Sequence, residues 1–204
     1  MDILAHGLWA AAAAKAADHR REKKGKPALS LKPLLAAWWG IFPDLLAFTP
    51  FFVWFFWQFL FGDPAGIQMP RFALMEPTSP DTIFIQRLTH FLYSFSHSLL
   101  VFLAVGFAIW LWRRMRKGAG RLPWEMGGWL LHVLIDIPTH TYTFFPTPFL
   151  WPVSEFKLGG VAWGEPWFMV LNYGLLLAAF VFLRLKRRKP VPVSVPNETP
   201  SLHR

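Results

Sequence analysis

Cysteine is absent from this 204-residue chain, which excludes disulfide frameworks, cysteine-ligated zinc, iron–sulfur clusters and thiol nucleophiles together. Charge is nearly as scarce: Asp, Glu, Lys and Arg make up 16% of the chain, against about 25% in an ordinary soluble domain. In their place 54% of positions are apolar, with 12 Trp and 21 Phe among them. A water-facing exterior cannot carry that much apolar surface, so a soluble single-domain enzyme, a disordered chain and a coiled coil are excluded. The chain reads as a membrane protein, and any metal it binds must rest on His and carboxylate ligands.

Acidic residues are outnumbered, 12 to 21, leaving a net charge of +9. The distribution of that charge decides its meaning. Lys15 to Lys32 holds seven basic residues, Arg113 to Arg121 five and Arg184 to Lys189 five, and each cluster abuts an apolar run. This is the positive-inside pattern of a polytopic membrane protein, with anionic lipid headgroups as the expected partner. No nucleic-acid role is expected, because the aromatic residues lie in long apolar runs and are not interleaved with the basic ones as stacking platforms.

The start, MDILAHGLWAAAAKAAD, carries Asp2 and no basic segment before its apolar stretch, so no signal peptide is expected and His6 stays in the chain. Five helical segments are predicted, about 3–17, 34–61, 88–112, 122–137 and 167–185, forming an all-α polytopic transmembrane bundle. The second, third and fifth are long enough to cross a hydrocarbon core of roughly 30 Å, while the first and fourth reach only about 22–24 Å. With five crossings, eighteen basic residues fall on one side, against Arg71, Arg87 and Lys157 on the other. That bias predicts an external N-terminus and a cytoplasmic C-terminus. Residues 1–189 read as one membrane-embedded domain. Residues 190–204, PVPVSVPNETPSLHR, read as a disordered, Pro-rich cytoplasmic tail.

Polar residues stand out against this background. His6, His90, His97, His132, His140, Asp44 and Asp136 lie within apolar segments or at their ends. An ionisable side chain near the bilayer centre costs about 2.5–3.5 kcal/mol on insertion scales, so each needs a partner, and seven in one small chain suggest a shared site. In LLHVLIDIPTH, His132 and Asp136 are four residues apart and share a helix face, a spacing suited to one N and one O ligand on a common ion. Pro138 disfavours helix at Ile137, so a turn is expected there that folds His140 back toward the site. His90 and His97 share a face but stand about 10 Å apart along the axis, too far to bind one ion together. His97 is the deeper and better ligand, and Ser94, Ser96 and Ser98 supply hydroxyls to orient its ring. Asp44 follows Pro43 inside a 28-residue apolar run, where the proline frees a carbonyl and can bend the helix. Helix-rise arithmetic puts Asp44, His97 and His132 near mid-membrane and His6, Asp136 and His140 nearer the outer end.

Four ordered motifs, MDILAHGLWA, GIFPDLL, SFSHSLL and LLHVLIDIPTH followed by FFPTPFLWPVS, make residues 1–185 resemble the YdjM-like membrane-bound metal-dependent hydrolases of bacterial inner membranes. The resemblance implies that His6, Asp44, His97, His132 and Asp136 are metal ligands. One position departs: other members often carry a histidine five residues before the counterpart of His97, where this chain has Leu92, and its nearest histidine is His90. The His132-to-Asp136 element is also loosely similar to zinc-dependent phospholipase C and P1-type nucleases, which points to phosphoester chemistry.

The expected function is therefore hydrolysis of a lipid or lipid-linked ester by water activated on a divalent metal, most simply zinc, as one or two ions. His140 and His90 are the candidate acid–base groups, with Glu155 and Glu165 as weaker ones. Two other classes stay open: a non-catalytic metal-binding or ion-transport protein, and a redox protein in which His97 and His132 ligate haem. Trp151, Trp163 and Trp167 suit the membrane interface as anchors.

Overall fold

The computed structural model describes residues 1–62, 80–116, 123–143 and 145–186. The tail from Pro190, Arg71 and the loop around Gly66 lie outside the described residues. The chain is all-helical: α1 (Ile3–Lys23), α2 (Pro33–Phe61), α3 (Pro80–Ser96), α4 (Leu99–Met115), α5 (Gly127–Thr139), preceded by a 3₁₀ turn at Trp124–Met126, and α6 (Pro166–Lys186). Two helices, α2 and α6, are long and apolar enough to cross a membrane, and a third span results if the bent pair α3–α4 counts as one. These are the same three regions whose length marks them as spans in the sequence.

The first helix runs six residues past the expected end at 17. Asp2 caps its start by accepting from the Ala5 amide at 3.0 Å. The polar extension DHRREK lies beyond the apolar stretch, and Arg20, Arg21 and Lys23 in the last turn complement the helix dipole. Gly25, at φ 64°, lets the chain leave the helix there.

The largest departure is in the third segment. A single helix over 88–112 is expected, but the chain breaks at His97–Ser98 and the two halves meet at 64°. Ser98 is extended (φ −95°, ψ 129°), and its hydroxyl accepts from the Leu100 and Val101 amides at 3.1 and 3.2 Å, the capping that starts a new helix. Backbone groups released by the break find other partners. The Leu99 amide donates to the Phe149 carbonyl at 3.0 Å, and Trp129 Nε1 donates to the Ser96 carbonyl at 2.6 Å. The break is thus held by α5 and by the loop 148–154, which take up backbone groups that a continuous helix would have paired internally.

A second departure is smaller. The helix expected to stop at Ile137 continues through Pro138 to Thr139, and the turn falls at His140, whose amide still donates to the Asp136 carbonyl at 3.1 Å. Loop backbone then covers the helix end: the Pro138 carbonyl accepts from the Val161 amide at 2.9 Å and the Thr139 carbonyl from the Trp163 amide at 3.1 Å.

Helices α1, α2 and α5 pack with little between them but backbone. A Cβ on Gly40 would stand 2.7 Å from the Ala10 Cβ and 2.8 Å from the His6 carbonyl oxygen. A Cβ on Gly128 would stand 2.3 Å from the Ala36 carbonyl oxygen. Small residues at such crossings let membrane helices approach closely, and here the approach sets His6 and His132 face to face. Helix α6 packs on α1 through Leu176, through a 2.8 Å bond from Trp9 Nε1 to Asn172 and through one from Tyr173 to Asp2.

The molecule is apolar outside and polar within. Large side chains such as Leu34, Val53, Phe107, Val170 and Leu177 are exposed, whereas His6, Asp44, His97, His132, Asp136 and His140 are all buried. That inversion is what lipid as solvent demands.

Candidate metal centre

Helices α1, α2 and α5 and the break between α3 and α4 each contribute to the buried cluster. Asp44 comes from α2 one residue after Pro43, and His97 from the break between α3 and α4. His132 and Asp136 come from one face of α5, and His6 from the second turn of α1. His140 sits where α5 ends.

Four of these, Asp44, His97, His132 and Asp136, present donor atoms that all lie within 4.8 Å of one another. The Nε2 atoms of His97 and His132 are 3.0 Å apart. Asp136 Oδ2 is 3.4 Å from His97 Nε2 and 3.1 Å from His132 Nε2, while Asp44 Oδ1 is 3.5 and 3.6 Å from the same atoms. Metal–ligand bonds of 2.0–2.1 Å in a tetrahedron would space the donors by about 3.3–3.4 Å. The observed edges bracket that value.

The tautomers point the same way. His132 Nδ1 lies 2.6 Å from the Gly40 carbonyl oxygen, which can only accept, so Nδ1 carries the proton. His97 Nδ1 lies 3.1 Å from the Tyr93 carbonyl oxygen and 2.9 Å from the Ser96 hydroxyl. Ser96 in turn reaches the Pro43 carbonyl at 3.1 Å, so its hydrogen is directed there and it accepts from His97. Both rings therefore turn an unprotonated Nε2 inward, where two lone pairs 3.0 Å apart beside two carboxylates call for positive charge. Carbonyl-anchored Nδ1 with Nε2 free to ligate is the usual posture of a metal-binding histidine. Asp136 Oδ2, fully buried, makes no hydrogen bond, as an oxygen reserved for a cation would not.

The other oxygen of Asp136 faces a second group. His6 Nε2 is 2.9 Å from Oδ1, His140 Nε2 is 3.7 Å from it, and the α-ammonium of Met1 is 2.6 Å from it. His140 Nδ1 is held by the Phe145 carbonyl at 2.8 Å and the Tyr93 hydroxyl at 2.9 Å, and that hydroxyl donates to the same carbonyl at 2.7 Å. Phe145 takes a left-handed φ of 43° that delivers its carbonyl to both. Burial, reinforced by the Met1 ammonium, lowers His140 to about 4 against the pull of Asp136, so its ring is neutral at physiological pH.

All five residues marked as ligands by the family resemblance are thus brought together, and His140 joins them. His90 is not. Its ring is exposed and stacks on Phe145 with centroids 5.1 Å apart. Glu155 and Glu165 are exposed as well. The two depths expected from helix-rise arithmetic meet at Asp136, one oxygen serving each. Tyr93 was missed by sequence reasoning: it stacks on His97 at 3.8 Å and links His97, His140 and Phe145. Its one available signal was its position four residues before His97, in a chain with only 3 Tyr.

A pocket of about 240 Å³, lined by Thr139, His140, Thr141, Ala162, Trp163 and Gly164, lies against this second group. Trp163, an expected interface anchor, is one of its walls. A larger cavity of about 840 Å³ lies between α1 and α6 at the basic end, lined by Lys15, Asp18, His19 and Arg184, and includes no residue of the cluster. No family model matches the chain, and no curated protein or solved structure matches it either.

Proposed function

We propose that the chain is a membrane-embedded metal-dependent hydrolase of the YdjM-like kind, acting on a lipid or lipid-linked phosphoester. The observation that carries the reading is the set of four inward-facing donors within 4.8 Å of one another, with two further imidazoles, His6 and His140, beside it. Asp44, His97, His132 and Asp136 would hold a divalent ion, and His/Asp donors suit zinc. Such an ion supplies positive charge that polarises the scissile group and eases deprotonation of water toward a pKa of about 7. The chain's own residues do the rest. His140 lines the pocket beside Asp136 with its Nδ1 held by the Phe145 carbonyl, which fixes the ring where the attacking water enters. Trp163 and the hydroxyls of Thr139 and Thr141 line the space for a polar headgroup.

One observation favours a second, non-catalytic reading: four protein donors gather at one place, the ligand number of structural zinc sites, whereas hydrolytic sites keep a position open. The haem reading does not fit, since Nε2 atoms 3.0 Å apart leave no room for a macrocycle between them. Elemental analysis with a panel of lipid phosphates separates the remaining two. Stoichiometric metal, with turnover that a chelator abolishes and zinc restores, is expected. Stoichiometric metal with no turnover on any substrate would favour the structural site, and a metal-free chain would remove both.

The site lies at the N-terminal end of α1 and the C-terminal end of α5, away from the basic clusters. With the basic ends cytoplasmic, it opens toward the external face of a bacterial inner membrane. A reporter fused after Arg116 or at the C-terminus is expected to read cytoplasmic and one at Gly159 external. A cytoplasmic reading at Gly159 would reverse this orientation.

A further inference from the structure

We propose a second cation position on the opposite side of Asp136, held by His6, Asp136 Oδ1 and His140, so that Asp136 bridges two metal ions. The inference rests on the four-residue centre being a metal centre and deepens that reading.

His6 carries the argument. It is 1% exposed, and neither ring nitrogen makes a hydrogen bond, although Nε2 lies 2.9 Å from Asp136 Oδ1. A buried imidazole aimed at a carboxylate with no proton-mediated contact is in the relation that two ligands of one ion have to each other. His140 faces the same oxygen at 3.7 Å, and its Nδ1 is committed to the Phe145 carbonyl, which leaves Nε2 as the donor. Positive charge already gathers at this position: the Met1 α-ammonium stands 2.6 Å from Oδ1 and 3.4 Å from His140 Nε2.

Asp136 directs Oδ2 at His97 and His132 and Oδ1 at His6 and His140, as a carboxylate shared between two ions does. The rings of His6 and His132 stack with centroids 3.6 Å apart and planes inclined by 23°. The two rings thus stand side by side, each with its Nε2 toward a different oxygen of Asp136. His6 thereby gains a role distinct from the four-donor centre.

The test is metal stoichiometry and magnetic coupling in the full chain in detergent. After equilibrium dialysis against zinc, about two ions per chain are expected, falling to one in His6→Ala and in His140→Ala. Wild-type protein loaded with manganese is expected to give the spectrum of an exchange-coupled pair, which needs no variant to fold. Wild type saturating at one ion, an uncoupled manganese spectrum, or two ions retained in both variants would overturn the second position. If the single ion is then lost in His97→Ala, the first centre survives alone, with the ammonium filling the second place. A chain that binds no ion overturns both.

Discussion

Replacing His132 or Asp136 with alanine is expected to empty the four-residue centre, and replacing both is expected to weaken metal binding there hardly more than either change alone. The two side chains are neighbours on α5, with His132 Nε2 3.1 Å from Asp136 Oδ2, and both face His97 and Asp44. Ligands of one ion act as a unit, so their losses do not add. Asp136→Ala should be the more damaging to the fold. It strips the counter-charge from the Met1 ammonium, and breaking a buried ionic group by removing one partner costs about 3–5 kcal/mol. Elemental analysis with thermal unfolding in detergent reads both effects. Additive losses, or stoichiometric metal kept in both single variants, would mean that the cluster is a hydrogen-bonded structural network.

His97→Ala and His90→Ala should differ sharply. His97 is fully buried at the helix break with Nε2 among the donors, so its removal should abolish metal binding and any hydrolysis with it. His90, exposed and stacked on Phe145, should leave metal bound and reduce activity modestly. Metal lost from His90→Ala and kept in His97→Ala would show that the helix register around Leu92 is misread.

Much of this was legible in the chain itself. Apolar length located α2, α6 and the region of α3–α4, because a membrane span needs only composition sustained over some 20 residues. The pairing of His132 with Asp136 needed only the four-residue repeat of a helix. Seven ionisable residues set in or beside apolar runs announced a site, because each would be costly alone in lipid. Composition could not separate His90 from His97, since both lie on one apolar helix face. Their fates diverged only where the helix ended.

That ending is a tertiary matter. Ser98 can cap a helix, but stopping α3 at Ser96 also requires the Phe149 carbonyl and the Trp129 indole to take up the groups that a continuous helix would have paired internally. Those partners are remote in sequence, and no local rule names them. The same holds for His140, whose turn waits on loop backbone at Val161 and Trp163, and whose proton is placed by Phe145 and Tyr93. The sequence by itself pointed to a membrane protein, the apolar helical regions and the pool of polar residues from which the cluster is drawn, because those follow from local composition and from the cost of polar groups in lipid. Only the tertiary structure decided that α1, α2 and α5 approach closely at Gly40 and Gly128, and that Asp136 presents one oxygen to His97 and His132 and the other to His6. Which nitrogen and which oxygen face inward is set by contacts between segments far apart in the chain.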